Sequence, residues 1–153
     1  HVRGYTISPE ILGLPEKLDQ QSITEKPVWV KAFQDLTSAV DAAGMCLFTT
    51  FALGAPAIAA QLSGATGVEY TADDVAKIGE KIYNMERMYN ISVGFTKDDD
   101  TLPARMFNEP IPDGPMKGKV SRLGEMLPGY YEARGWDENG VPTENKLKEL
   151  GLK

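Results

Sequence analysis

The chain has 153 residues and a formal net charge of −6, and 42% of its residues are hydrophobic. This composition is typical of one globular domain, and the acidic balance argues against binding to nucleic acid or to an anionic membrane surface. No apolar run approaches the roughly 18 residues that a membrane-spanning helix needs. A single cysteine fits a reducing compartment, so we expect a cytoplasmic protein.

The start of the chain predicts that it belongs to something longer. It begins at His1 rather than at a methionine, which indicates a processed product or a part of a larger protein. One cysteine and one histidine cannot assemble a multi-ligand metal site alone. Residues 1–25 should be irregular, because glycines and prolines interrupt any period there.

The first strong helix is predicted to begin at Pro27, which suits a first turn, and to stop or bend at Gly44. Its apolar positions recur at helical spacing: Trp29, Phe33, Leu36 and Val40. The following residues 45–51 are apolar on all sides, so we expect them to be buried, in a strand or a helix that periodicity cannot distinguish. A short helix is predicted over 57–62.

The clearest helix is predicted over 72–93. Thr71 is a good N-cap, Asp74 completes a capping-box pattern, and Gly94 suits the C-terminal end. One apolar stripe is expected to face the core: Val75, Ile78, Ile82, Met85 and Tyr89. Two polar residues of the same helix are expected to be solvated: Glu80 and Asn84.

The last third of the sequence is predicted to alternate loop and helix. Residues 96–118 carry several prolines and should form a loop, with Asp98–Asp100 as a solvated surface. Helices are predicted over 121–133, despite Pro128, and from Pro142-Thr143-Glu144 to near Gly151, where Glu144 and Lys148 form an i,i+4 pair. The whole chain is therefore predicted to be an all-α, irregular multi-helix domain with long Pro/Gly-rich loops.

Two residues near the end of the first predicted helix could carry chemistry. A lone cysteine such as Cys46 in an apolar run is usually a small buried residue. Asp41 is unfavourably placed near a helix C-terminus, whose partial charge is negative, so its carboxylate needs a partner with hydrogen-bond donors. An arginine, a lysine or backbone amides of a neighbouring loop would be the ordinary partner.

The segment Asp41-Ala42-Ala43-Gly44-Met45-Cys46 resembles the D-x-x-G-L-C motif of the tungsten-containing aldehyde:ferredoxin oxidoreductase family. Met45 stands where leucine is more common, a change that preserves volume. Further segments resemble that family's C-terminal region in the same order: HVRGYT (1–6), PEILG (9–13), FALG (51–54), GFT (94–96), DDTLP (99–103) and RGWDENGVPT (134–143). By this resemblance, residues 1–153 form a single C-terminal helical domain of a larger oxidoreductase, without its N-terminal cofactor-binding domain and middle domain.

The resemblance implies a set of cofactors and ligands. The family holds tungsten, or possibly molybdenum, between two pterins beside a [4Fe–4S] cluster. Cys46 matches the fourth cluster cysteine, and the other three lie in an upstream C-x2-C-x3-C run that this chain lacks. Asp41 would accept hydrogen bonds from a pterin, and Met45 and Leu47 would approach the cofactor through backbone groups.

The resemblance also implies the reaction and the partners. His1 matches a histidine near the tungsten that could bind substrate or relay a proton, and Arg3 matches a basic residue near the cofactor. By default, a lone terminal histidine is exposed and has no role. The intact protein would oxidise aldehydes to carboxylic acids and pass electrons to ferredoxin, and the isolated chain would be inactive without the rest of its own polypeptide.

Two other interpretations stay open from the sequence. The chain could be a helical binding or scaffold module in which Cys46 is an inert core residue. It could also be a non-redox remnant that has lost its catalytic partner domain. An upstream C-x2-C-x3-C run in the same reading frame would separate both from the redox interpretation.

Overall fold

The computed structural model describes residues 16–19 and 21–153, and the regular elements of this part of the chain are helical. The prediction of an all-α domain is confirmed. The α-helices are α1 Lys26–Ala42, α2 Ala55–Thr66, α3 Ala72–Ser92, α4 Arg105–Asn108, α5 Leu123–Arg134 and α6 Glu144–Glu149. Two 3-10 helices lie between them, at Leu47–Phe51 and Lys97–Asp99. Across the described residues, we find no helix with the length and apolar character that crossing a membrane requires.

Helix α1 is the centre of the fold, and it packs against both α3 and α5. Where α1 and α3 cross, Gly79 lies directly against the backbone of Asp35. A Cβ atom added to Gly79 would lie 1.8 Å from the Asp35 carbonyl oxygen. The close approach of the two helices therefore requires glycine at position 79. A small apolar core joins α1, α2 and α3, and it consists of Ala39, Val40, Ile58, Ala59 and Val75.

The ends of α3 agree with the sequence prediction, because capping depends on neighbouring residues. The Thr71 Oγ1 atom accepts a hydrogen bond from the Asp74 amide at 3.1 Å, and the Asp74 carboxylate accepts one from the Thr71 amide at 2.8 Å. At the other end Gly94 has a positive φ of 99°, which suits a helix-ending glycine.

The buried face of α3 differs from the predicted one. Of the apolar stripe, Val75 is buried, but Ile78, Met85 and Tyr89 are 38%, 52% and 68% exposed. The prediction that Asn84 is solvated is also wrong, because Asn84 is fully buried and accepts a hydrogen bond from Trp136 Nε1 at 2.8 Å. Periodicity locates an apolar face on a helix, but it does not say what covers that face.

The remaining helices follow the prediction with small shifts. Helix α2 is longer than expected at both ends and stops at Gly67, which adopts the left-handed conformation. Helix α5 includes Pro128, as predicted. Helix α6 is capped by the Thr143 side chain, and Glu144 and Lys148 approach to 3.5 Å.

Candidate cofactor-binding surface

The D-x-x-G-M-C segment forms the turn that ends α1. The Gly44 amide donates to the Asp41 carbonyl at 3.0 Å, and the Met45 amide donates to the Val40 carbonyl at 3.1 Å. Gly44 has a φ of 69°, so this is the paired hydrogen-bond pattern of a Schellman motif. Cys46 follows in an extended conformation and precedes the first 3-10 helix. The turn places Asp41 and Cys46 at one end of α1.

Cys46 is a free cysteine and is exposed. Its carbonyl oxygen accepts hydrogen bonds from the Thr49 amide at 3.0 Å and the Thr49 hydroxyl at 2.7 Å, so its backbone is held while its thiol stays accessible. The interpretation of Cys46 as an inert core residue is therefore wrong for this fold. An accessible thiol is what a ligand shared with another part of the protein requires.

The apolar segment around Cys46 is also exposed, so the prediction that residues 45–51 are buried is wrong. Leu47, Phe48 and Phe51 are 38%, 77% and 42% exposed, and the two phenylalanine rings stack with centroids 5.8 Å apart. Thr50 is the buried residue of this 3-10 helix. Contiguous exposed apolar side chains of this kind mark a surface that another group covers.

Asp41 lies in the last turn of α1 and is exposed. Its carboxylate makes no ion pair with any other residue that the structure describes. It lines a cleft of about 520 Å³ between α1 and α3. The polar residues that share this lining are Gln34, Thr37, Ser38, Tyr83 and Glu86. The cleft therefore presents the Asp41 carboxylate, with free acceptor capacity, among hydroxyl and amide groups and a second carboxylate, that of Glu86.

The two neighbours of Cys46 differ in how they face solvent. The Met45 side chain is partly buried and packs against the core of α1, α2 and α3. Leu47 opens the 3-10 helix and is more exposed. Met45 thus anchors the turn to the domain. His1 and Arg3, the other two predicted site residues, lie outside the described residues.

The Cys46 thiol and the Asp41 carboxylate fit one part of a larger cofactor site. Within residues 16–19 and 21–153, no group of three or more His, Cys, Asp and Glu side chains could hold a metal ion. A cubane iron–sulfur cluster takes four thiolates, so Cys46 could supply one and the others must come from outside this part of the chain. The accessible thiol and the unpaired Asp41 carboxylate are compatible with a cluster ligand and a pterin contact, respectively.

A buried arginine network supports the wall of the cleft, and no pattern in the sequence predicts it. Arg134 is fully buried, and its Nη1 atom donates to the carboxylate of Asp35. Its Nη2 atom donates to Gln34 Oε1 at 2.8 Å, and the guanidinium lies 3.9 Å from the Tyr83 ring centroid. Gln34 and Tyr83 both line the cleft. Arg134 therefore ties together α1, α3 and α5 behind the Asp41 surface.

A second missed cluster holds the loop after α3. Asp100 was expected in a solvated acidic run, but its two carboxylate oxygens accept hydrogen bonds from Arg87 at 2.8 and 2.7 Å. The Tyr131 hydroxyl donates to the same carboxylate at 2.6 Å, and Arg87 Nε donates to the Gly140 carbonyl at 2.9 Å. Asp98 and Asp99 are exposed, as predicted. A paired Asp100 is a structural residue of the loop, not a cation ligand.

Tyr131 should make the stability of the domain depend on pH in the alkaline range. Burial, the hydrogen bond to Asp100 and the charge of Asp100 raise the pKa of Tyr131 to about 12 from an ordinary 10.0. A raised folded-state pKa means that the stabilisation is complete below pH 10 and is lost as the pH rises toward 12. Below pH 10, we expect the free energy of unfolding of wild type to exceed that of Tyr131→Phe by about 1 kcal/mol. Urea unfolding of both proteins between pH 8 and about 12 should show this difference shrinking; a constant difference would contradict it.

Comparison with known proteins places the chain in a family. A family model described as "Aldehyde ferredoxin oxidoreductase, domains 2 & 3" matches residues 1–152. The chain is 53% identical over 154 residues to a tungsten-containing aldehyde ferredoxin oxidoreductase of Pyrococcus horikoshii, covering 99% of the chain and 25% of that protein. It is 49% identical to the corresponding protein of Pyrococcus furiosus, covering 99% of the chain and 26% of that protein. The chain thus spans about a quarter of the length of these relatives.

A solved structure shares the fold at lower identity. The active site complex BamBC of benzoyl coenzyme A reductase, in complex with 1,5-dienoyl-CoA, superposes with a TM-score of 0.72 and 21% identity. The match covers 90% of this chain and 20% of that one. The helical fold and the family match together define a part of an oxidoreductase. The chain belongs to the aldehyde ferredoxin oxidoreductase family, and its relatives are tungsten enzymes.

Proposed function

We propose that this chain works within a longer polypeptide that oxidises aldehydes to carboxylic acids, and that it supplies a cluster ligand and a pterin contact. The observation that carries the proposal is the exposed turn at the end of α1. There a free, accessible Cys46 thiol follows an Asp41 carboxylate that makes no ion pair among the described residues. An inert structural turn would need neither group to stay available.

Cys46 would bind one iron of a [4Fe–4S] cluster as a thiolate. Three further thiolates would come from the remaining polypeptide, because the chain has one cysteine. The exposed side chains of Leu47 and Phe48 lie next to the thiol in sequence. They would keep water away from the cluster, which affects its reduction potential. Contact with the cluster would also remove these apolar side chains from water, where their exposure is unfavourable.

Asp41 would orient a pterin by accepting hydrogen bonds at both carboxylate oxygens. The amino and ring N–H edge of a pterin resembles a guanidine, which meets a carboxylate through two parallel bonds. Gly44 lacks a side chain, and among the described residues beyond its two chain neighbours no atom lies within 4 Å of the position of its absent Cβ, so a flat ring can approach the turn there. Backbone groups of Met45 and Leu47 would complete this contact. The tungsten bis-pterin, or its molybdenum analogue, supplies the oxygen and electron chemistry when bound.

The proposed reaction converts an aldehyde and water into a carboxylic acid, two protons and two electrons. His1 would hold the substrate carbonyl or move a proton beside it, and Arg3 would contact the cofactor. The electrons would pass through the cluster to ferredoxin, and the reaction would take place in the cytoplasm. The remaining part of the same polypeptide would provide the other cofactor contacts.

The Asp41 carboxylate offers a test that separates pterin binding from cluster binding. In the full-length protein, we expect Asp41→Ala to weaken retention of the tungsten cofactor by about 10- to 100-fold, because two charge-assisted hydrogen bonds are lost. Iron content should stay at the wild-type level. The measurement is tungsten, pterin and iron per chain after extensive dialysis, together with aldehyde oxidation by a dye-linked assay.

Asp113→Ala provides the matched control, since Asp113 is an exposed carboxylate in the loop between α4 and α5 and does not line the Asp41 cleft. It should retain tungsten and activity. The proposal fails if wild-type full-length protein carries neither tungsten nor iron, or if Asp41→Ala keeps its tungsten as firmly as the control.

A further inference from the structure

One side of α3 presents a row of apolar side chains to solvent. This outer face consists of Ile78, Ile82, Met85 and Tyr89, at spacings of four, three and four residues. A helix turns by roughly 100° per residue, so these four positions fall within an arc of about 60°. Met85 and Tyr89 are 52% and 68% exposed. A regular apolar row on a helix normally faces a packing partner.

Among the residues that the structure describes, Ile78, Met85 and Tyr89 of the outer face stay exposed, whereas Ile82 is half-buried at the edge of the Asp41 cleft. The adjoining and opposite sides of the helix make the contacts inside the domain: Val75, next to the apolar row, is buried in the core, Gly79 lies against Asp35, and Arg87 donates to the Gly140 carbonyl. Lys77 and Lys81 are exposed beside the apolar row. An uncharged apolar centre with charged residues at its edge is the usual organisation of a protein interface.

We propose that the outer face of α3 is the docking surface for the remaining polypeptide of the full-length protein. The relatives are about four times as long as this chain, which covers 25% and 26% of two of them. A partner on the same polypeptide is present at a high effective concentration, so it is the favoured occupant of an apolar surface. This inference rests on one part of the proposed function, namely that the chain works within a longer polypeptide.

Docking at this face would bring the remaining polypeptide to the edge of the Asp41 cleft. Ile82 belongs both to the outer face of α3 and to the lining of that cleft. Glu86, one turn further along α3, lines the cleft as well. The surface that joins the two parts of the protein is therefore continuous with the surface proposed to meet the pterin. The docked segment should present apolar side chains toward Met85 and Tyr89.

Oxidative footprinting of the native full-length protein tests the docking surface without any substitution. Methionine and tyrosine oxidation follows solvent exposure, and the urea-unfolded protein gives the reference rate. If the outer face is open, Met85 and Tyr89 should be oxidised only about twofold more slowly in the native than in the unfolded protein, in line with their exposure in this domain. We expect at least about tenfold slowing, as for covered residues. Slowing of only about twofold would overturn the proposal.

A second copy of the chain is the main competing occupant, and dilution separates it from docking within one polypeptide. Protection by the same polypeptide should not change when full-length protein is diluted until size-exclusion chromatography shows a monomer. Protection that disappears together with a dimer would overturn the proposal in favour of self-association. The double variant Met85→Asp/Tyr89→Asp should also increase proteolytic cleavage between the two parts of the full-length protein, whereas Lys77→Asp should not.

Cluster spectroscopy on the same samples keeps the two proposals apart. An exposed Met85 in a protein whose cluster signal depends on Cys46 would overturn docking and leave the ligand role intact. A protected Met85 in a protein whose cluster signal survives Cys46→Ala would support docking and overturn the ligand role.

Discussion

Replacing Cys46 by alanine in the full-length protein is expected to abolish the electron paramagnetic resonance signal of its [4Fe–4S] cluster. A cubane cluster bound by three thiolates and an open position is unstable to loss of iron. Aldehyde oxidation linked to ferredoxin should fall by at least about a hundredfold, since even the loss of an outer-shell partner of a metal ligand costs about 10- to 100-fold. The measurements are the spectrum of the reduced protein, the iron content and the rate.

Two further variants show whether the sulfur itself matters. Cys46→Ser keeps a possible oxygen ligand, so it should retain part of the iron with a shifted signal. Thr49→Val removes the hydroxyl that donates to the Cys46 carbonyl at 2.7 Å but leaves the thiol, and it should keep the wild-type signal. A Cys46→Ala protein with unchanged iron and spectrum would refute the ligand role.

Replacing the buried Arg134 by methionine is expected to destabilise the domain strongly. Arg134 is fully buried, and Asp35, its carboxylate partner, is 3% exposed. Removing one partner leaves the other as a buried charge, which typically costs about 3–5 kcal/mol. Lys31 approaches the same carboxylate at 2.8 Å and should limit the loss to the lower part of that range. Urea unfolding of wild-type and variant chains measures the difference in free energy.

Arg122→Met is the matched control, because it removes an arginine from an exposed pair. Arg122 and Glu125 have side chains that are 50% and 53% exposed. Surface pairs of this kind contribute little to the free energy of unfolding, because solvent and salt screen the charges and the long side chains lose rotamer freedom. If Arg134→Met cost no more than Arg122→Met, the buried network would not hold the three helices together as described.

The features that depend on neighbouring residues could be predicted from the sequence. The start of α3 at Thr71, the end of α1 before Gly44 and the Glu144–Lys148 pair are set by a few adjacent side chains. The D-x-x-G-M-C segment likewise predicted that the helix stops or bends at Gly44, between a carboxylate and a thiol, but not that the thiol is exposed. The structure places Asp41 and Cys46 at a turn that ends α1, and their roles toward pterin and iron remain predictions.

The direction in which apolar residues face could not be predicted. Hydrophobicity indicated that residues 45–51 and the row Ile78–Tyr89 are covered, but it could not say by what. Both surfaces are exposed in this domain, as Phe48 at 77% and Tyr89 at 68% show. The proposed function and the proposed docking surface give each of them a cover outside the described residues.

The two ionic clusters were missed for a different reason. Arg134 and Asp35 are 99 positions apart, and Tyr131 and Asp100 are 31 positions apart. Ion pairs between elements leave no periodic pattern in a single sequence, unlike pairs within a helix. Asp100 also lies in a run of three aspartates that favours a solvated interpretation. Only the packing of α1, α3 and α5 brings these groups together.

A structure of the full-length holoprotein, at a resolution that locates individual sulfur atoms, would test directly whether Cys46 is a cluster ligand. We expect the Cys46 Sγ atom to be bonded to one iron of the cluster, with three sulfurs from the remaining polypeptide bonded to the other irons. A cluster with four other protein ligands, and with the Cys46 sulfur outside bonding distance of every iron, would contradict it.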